Sequence, residues 1–267
     1  MCYKYEDFKD DYIDDEDYFG MEDEFAFIHT LIGAYKGNVK YMRVMGDIYS
    51  SRGHGVIVDY KKAAYWYKMA ADCGDNNSLL LLADLYYAFD RWGFPHDYEK
   101  AYGLYELAAE EGEIKGIARL GVMNLYGIGC EKDVAEGCKL IEIAAKKGER
   151  EACYEYAHML EADGAEGWLD YLKKSAEQAY GKAGWEIITR FGEKLTDLQF
   201  IKYLSCACYD YSTPGYSPAE ALYMYAECLM NGRHMRKNLN SAKSFYRDAA
   251  EEGSKEAAEA LKKYFPE

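Results

Sequence analysis

Eight cysteines and five histidines are the side chains of this 267-residue chain best suited to metal or redox chemistry, and their spacing argues against both. Cys2, Cys73, Cys130, Cys138, Cys153, Cys206, Cys208 and Cys228 contain no CxxC. The lone CxC, Cys206 and Cys208, would point its thiols to different sides of a helix. His29, His54, His96, His158 and His234 form no HExxH and no pair at helical spacing. There is no GxxxxGKS/T, no GxGxxG and no GxSxG, so neither a phosphate cradle nor a nucleophile elbow is indicated. Carboxylates are so numerous that close pairs are expected by chance on solvated helix faces. The reading is therefore of buried, inert thiols, no metal, no cofactor and no enzyme activity.

Charge narrows the partners. The formal net charge is −15. Residues 1–24 alone hold 11 acidic and 2 basic side chains interleaved with Tyr3, Tyr5, Phe8, Tyr12, Tyr18 and Phe19, and read as a disordered or partner-dependent tail. A chain without a basic stripe is disfavoured as a nucleic-acid binder and is repelled by anionic membranes, which leaves proteins or peptides, basic ones above all. An acidic N-terminus is unlike a secretory signal, and no apolar run reaches the roughly 18 residues of a membrane span. A cytoplasmic monomer with reduced thiols is expected.

The elements that must position any site come from a repeat. Two small residues, two polar residues and glycine close AAYWYKMAADCG at Gly74, AYGLYELAAEEG at Gly112, GCKLIEIAAKKG at Gly148 and SFYRDAAEEG at Gly253. A fixed period of this length marks stacked supersecondary units. Between glycines, apolar residues recur at three and four, which predicts two helices per unit. The pairs Ala70–Ala71, Ala108–Ala109, Ala144–Ala145 and Ala249–Ala250 read as points of close helix approach, and Trp66–Tyr67, Leu104–Tyr105, Leu140–Ile141 and Phe245–Tyr246 as the filling between units. FAFIHTLIGAY and SKEAAEALKKYFPE read as N- and C-terminal capping helices.

Met45–Gly46, Tyr49, Gly53, Gly55–Val56, Asp59, Lys62–Ala63, Trp66–Tyr67, Ala70–Ala71 and Gly74, echoed by Leu120–Gly121, Tyr126, Gly127, Gly129, Asp133 and Ala144–Ala145, resemble the Sel-one-like repeat (SLR), a relative of the tetratricopeptide repeat. The resemblance is strong for four units and weak over 151–216. It implies an all-α, right-handed α/α superhelical solenoid of about six two-helix repeats over residues 25–267. Some members of the family are exported and carry a bridge from the end of one unit to the next. Here Cys153 stands at one of those positions, but Ala145 replaces its partner.

In tetratricopeptide-like arrays, a concave groove is lined from positions three before, one after and four after the small residue of the first helix. By that resemblance the groove comprises Arg43, Asp47 and Ser50; Leu80, Asp84 and Tyr87; Ala118, Val122 and Leu125; Tyr154, His158 and Glu161; Trp185 and Thr189; and Tyr223, Glu227 and Met230. Aromatics mixed with acids suit an extended peptide bearing lysine or arginine and an apolar anchor. The expected function is a scaffold or adaptor binding a protein or peptide in this groove. The alternative is an acidic inhibitor that masks a basic, nucleic-acid-binding surface on another protein.

Overall fold

A computed structural model describes residues 21–51, 56–88, 94–210 and 216–266. The acidic stretch 1–20, with Cys2, and the turn residues Gly53, His54, Gly55, Trp92 and Gly93 lie outside the described residues. The helices alternate as the repeat requires: α1 (Met21–Tyr35), then α2 (Val39–Ser50) with α3 (Tyr60–Asp72), α4 (Asn76–Ala88) with α5 (Tyr98–Glu110), α6 (Ile114–Tyr126) with α7 (Val134–Lys147), α8 (Arg150–Ala162) with α9 (Trp168–Glu177), α10 (Gly181–Phe191) with α11 (Asp197–Tyr209), α12 (Ala219–Asn231) with α13 (Leu239–Glu251), and α14 (Lys255–Tyr264). The first helix opens at Met21, ahead of the boundary expected at residue 25. The chain divides into two compact units, Met1–Gly137 and Cys138–Glu267.

Four of the second helices, α3, α5, α7 and α13, start from the same device. Asp59, Asp97, Asp133 and Asn238 turn their side chains onto backbone N–H groups of Lys61 and Lys62, Lys100, Glu136 and Ser241, supplying acceptors to the unpaired amides of the first turn. The N–H of each of the four also donates back to the first helix, to the carbonyls of Tyr49, Tyr86, Asn124 and Leu229, which fixes the length of the turn. The same four helices end at the repeating glycine; Gly74 and Gly112 sit at φ +88° and +84°, a region that a side chain disfavours.

Packing follows the sequence pattern. Ala70, Ala108, Ala144 and Ala249 are fully buried, and Gly116 shows why: a Cβ there would lie 3.0 Å from the Ala108 methyl. Of the bulky pairs, Trp66, Tyr67, Tyr105, Ile141 and Tyr246 fill the interior. In the first unit, Phe27, Leu31 and Ala34 of α1 close the core built by α2 to α5. In the second, Ala257, Leu261 and Phe265 close the core built on Leu172, Ile187, Leu204 and Tyr246. The segment LTDLQFIKYLSCACYD, which the repeat pattern barely covers, is a full second helix, α11, started by a capping box between Thr196 and Gln199.

Candidate functional site

The groove positions are reached from a glycine outward. Gly46 in α2 has no Cβ, and one built there would stand 2.3 Å from the Tyr67 ring of α3. That gap lets Tyr67 lie flat against α2 and donate its hydroxyl to Asp47 at 2.8 Å, with Ser50 Oγ 3.0 Å from the same oxygen. The arrangement recurs. Tyr105 of α5 donates to Asp84 of α4 at 2.6 Å, and Tyr246 of α13 donates to Glu227 of α12. Burial, reinforced by these carboxylates, raises the Tyr67 and Tyr246 hydroxyls far above the ordinary phenol value, so each remains a donor.

Within each unit, side chains of the first helices also bridge one repeat to the next. In the first unit, Arg43 pairs with Asp75 at 3.1 Å, and Asp75 itself caps α4 through the Ser78 N–H. Lys115 of α6 reaches Asp84 at 2.5 Å, and the Arg119 guanidinium lies 5.2 Å over the Tyr87 ring. In the second unit, His158 Nε2 sits 3.0 Å from Glu186 Oε2, while Arg190 donates to Glu186 at 2.6 Å and holds Glu161 through both of its terminal nitrogens. Arg190 also lies 4.8 Å over the Trp168 ring. The hydrogen bond to Glu186 raises His158 above the ordinary imidazole value in spite of partial burial. Arg190 holds Glu161 below the usual carboxylate range; burial opposes the same shift at Glu186, and the bonds from His158 and Arg190 prevail.

Ligand atoms of His158, Glu161 and Glu186 lie within 4.8 Å of one another, close enough to share a cation. Arg190 already occupies both carboxylates, so the cluster is an ion-pair network. Sequence reading missed it by looking for histidine pairs, because two of its members, Glu186 and Arg190, come from the next repeat.

The expected groove residues divide into three groups. Asp47, Asp84, Glu161 and Glu227 face the surface in part but spend their charge on the protein's own donors. Tyr87, Tyr154, Trp185 and Tyr223 are half-buried and keep an accessible edge, with Tyr154 stacked edge-on against His158 at 4.6 Å and Tyr223 5.9 Å from Tyr246. Leu80, Ala118 and Val122, expected to line the groove, are core residues at 7, 0 and 6 % exposure. Val122 is apolar at the position that Asp47, Asp84 and Glu227 hold in other repeats, and Leu80 and Ala118 stand where Arg43, Tyr154 and Tyr223 do. Tyr67, Asp75, Tyr105, Lys115, Glu186, Arg190 and Tyr246 were not anticipated; an acid followed about twenty residues later by tyrosine was the available signal.

The described cysteines are free. Burial pushes Cys153 and Cys206 up to about 11, away from reactivity. Cys153 donates instead to the Ala145 carbonyl at 3.5 Å, at the place where a bridge would need a second thiol.

Residues 40–75, 77–113, 114–149 and 219–254, just over half of the chain, match the family model for the Sel1 repeat. The HRD3B component of the ERAD-associated E3 ubiquitin-protein ligase of Arabidopsis thaliana is 35 % identical over 115 residues, which are 43 % of this chain and 18 % of that protein. The chain spans less than half the length of the curated relatives it matches. A Sel1 repeat protein from Oxalobacter formigenes has the same fold, with a TM-score of 0.61 at 21 % identity over 89 % of this chain and 69 % of that one. So does the immunity protein Pa5087 from Pseudomonas aeruginosa, with a TM-score of 0.55 at 18 % identity over 86 % of this chain and 88 % of that one.

Proposed function

Because this chain belongs to the Sel1 repeat family, whose repeats generally build protein-interaction scaffolds, we propose that it is a non-enzymatic adaptor, monomeric and cytoplasmic. In this reading it holds a protein or extended peptide against first helices of its repeats, α2 and α4 in the first unit and α8, α10 and α12 in the second. One observation carries it: the polar groups at the groove positions of these helices are satisfied internally, while the aromatic side chains Tyr87, Tyr154, Trp185 and Tyr223 keep accessible edges. A surface fixed in this way costs a partner little ordering on the scaffold's side, and exposed aromatic edges supply most contact energy at such interfaces. The similarity to a ubiquitin-ligase component supports membership of a protein assembly.

The net charge of −15 favours basic partners at long range. At contact distance the acids are weaker attractors than their number suggests, because tyrosine, lysine and arginine side chains of the chain itself already bind them. Affinity should therefore persist at moderate salt. The test is amide hydrogen exchange of the full chain with a partner captured from its native lysate and purified. Protection concentrated on α2, α4, α8, α10 and α12 supports the reading, and protection confined to the second helices contradicts it.

An inhibitor that masks a basic surface is the second reading. The concentration of charge in residues 1–24 favours it, and the structural likeness to an immunity protein is compatible with it. Binding of that kind collapses between low and high ionic strength.

A further inference from the structure

The second unit contains a cavity of about 610 Å³ between the end of α10, the start of α11 and the end of α12. Its floor is apolar, built from Ile188, Phe191, Phe200, Met224 and Cys228. Glu227, a groove position, lies on its wall, with one carboxylate oxygen taken by Tyr246 and the other by Asn231 at 3.0 Å. Arg190, also on the wall, is committed to Glu161 and Glu186. Three of the remaining polar groups are different. Lys194 and Arg233 line the cavity and pair with no group among the described residues, and Glu193 is the only unpaired acid beside them.

The third is His234. Its ring stacks on Phe200 with centroids 4.0 Å apart, and its side chain is 13 % exposed. Nδ1 lies 2.6 Å from Asp197 Oδ1; a carboxylate can only accept, so Nδ1 carries the proton. Nε2, on the other side of the ring, is buried in the protein and has no hydrogen-bond partner among the described residues. A buried polar atom without a partner costs free energy that a ligand supplying one would recover.

We propose that this cavity, at the α10–α12 end of the binding face and resting on the adaptor reading above, receives a tyrosine of the partner flanked by acidic residues. The phenol ring enters against Phe200 and Met224, its hydroxyl hydrogen-bonds with His234 Nε2, and the neighbouring carboxylates meet Lys194 and Arg233. Charge complementarity selects this occupant. In a strongly acidic molecule, the uncommitted groups at this one cavity are mostly cationic, so the local contact chemistry is opposite to the net charge.

The test uses the full chain and a fluorescein-labelled hexapeptide with one tyrosine among aspartate and glutamate, read by anisotropy. The acidic peptide should bind roughly tenfold or more tightly than its lysine counterpart, as expected for charge-assisted contacts. The doubly reversed variant Lys194→Glu/Arg233→Glu, altered only at the cavity rim, should lose that preference. Replacing the peptide tyrosine by phenylalanine should weaken binding to the natural chain several-fold, and leave binding to His234→Gln unchanged. Equal binding of both peptides, or a preference that survives charge reversal, overturns the proposal. A lysate partner retained by the rim variant but lost on alanine substitution of Tyr154 and Trp185 would overturn this proposal and leave the adaptor reading standing. Loss of the partner in neither would sink both.

Discussion

Among the described residues, the hydroxyl of Tyr67 is the one side-chain donor to the half-buried Asp47 from beyond its own helix, whereas Asp84 keeps Lys115 after losing Tyr105. Tyr67→Phe should therefore destabilise the chain by about 1–3 kcal/mol, the cost of stranding a buried polar group, and Tyr105→Phe by clearly less. Thermal and urea denaturation of the two variants side by side checks this; equal losses would show that Lys115 does not compensate. Gly46→Leu belongs to the same contact. Its Cβ meets the Tyr67 ring at 2.3 Å, so about 1–3 kcal/mol should be lost to overpacking and the Tyr67–Asp47 bond with it. An unchanged melting temperature would place Tyr67 elsewhere.

At the scale of the element, α8 and α10 are joined by His158, Glu161, Glu186 and Arg190, and this joint responds to pH with a definite sign. His158 is raised by folding, so its contribution is complete below the ordinary imidazole value of 6.5 and disappears as pH rises through the folded value. Glu161 and Glu186 are lowered, so theirs is complete above 4.5 and disappears as pH falls through their folded values. The joint is strongest between these limits. His158→Gln should reduce hydrogen-exchange protection of α8 and α10 near pH 5.5 and have little effect at pH 8, and a pH-independent effect would contradict the assignment. The helices of the four clear repeats were legible in the sequence because three-and-four periodicity and the closing glycine mark them, whereas α9 and α11, in the weakly matching stretch 151–216, lack that glycine. The joint was not legible. Its four members lie on two helices about 28 residues apart in sequence, and nothing local in either helix signals that a carboxylate will meet a guanidinium from the next repeat.

For the whole molecule, composition excluded less than the fold did. The repeat pattern named Asp47, Asp84, His158, Glu161 and Glu227 on the first helices. It could not reveal that the acids are consumed internally, since that depends on tyrosines reaching across from second helices. Nor could it separate Leu80 and Ala118, which are core, from Tyr154 and Tyr223, which keep an exposed edge at the equivalent position, or core Val122 from the acids at its own. No helix of the described residues is long and apolar enough to cross a membrane. The central claim is that these aromatic edges, not the acids, hold the partner. The most direct measurement is capture from native lysate at moderate salt with the natural chain and with a Tyr87→Ala/Tyr154→Ala/Trp185→Ala variant whose helical content matches by circular dichroism. The account predicts a partner retained by the natural chain and lost by the variant. The same partner held equally by both would contradict it.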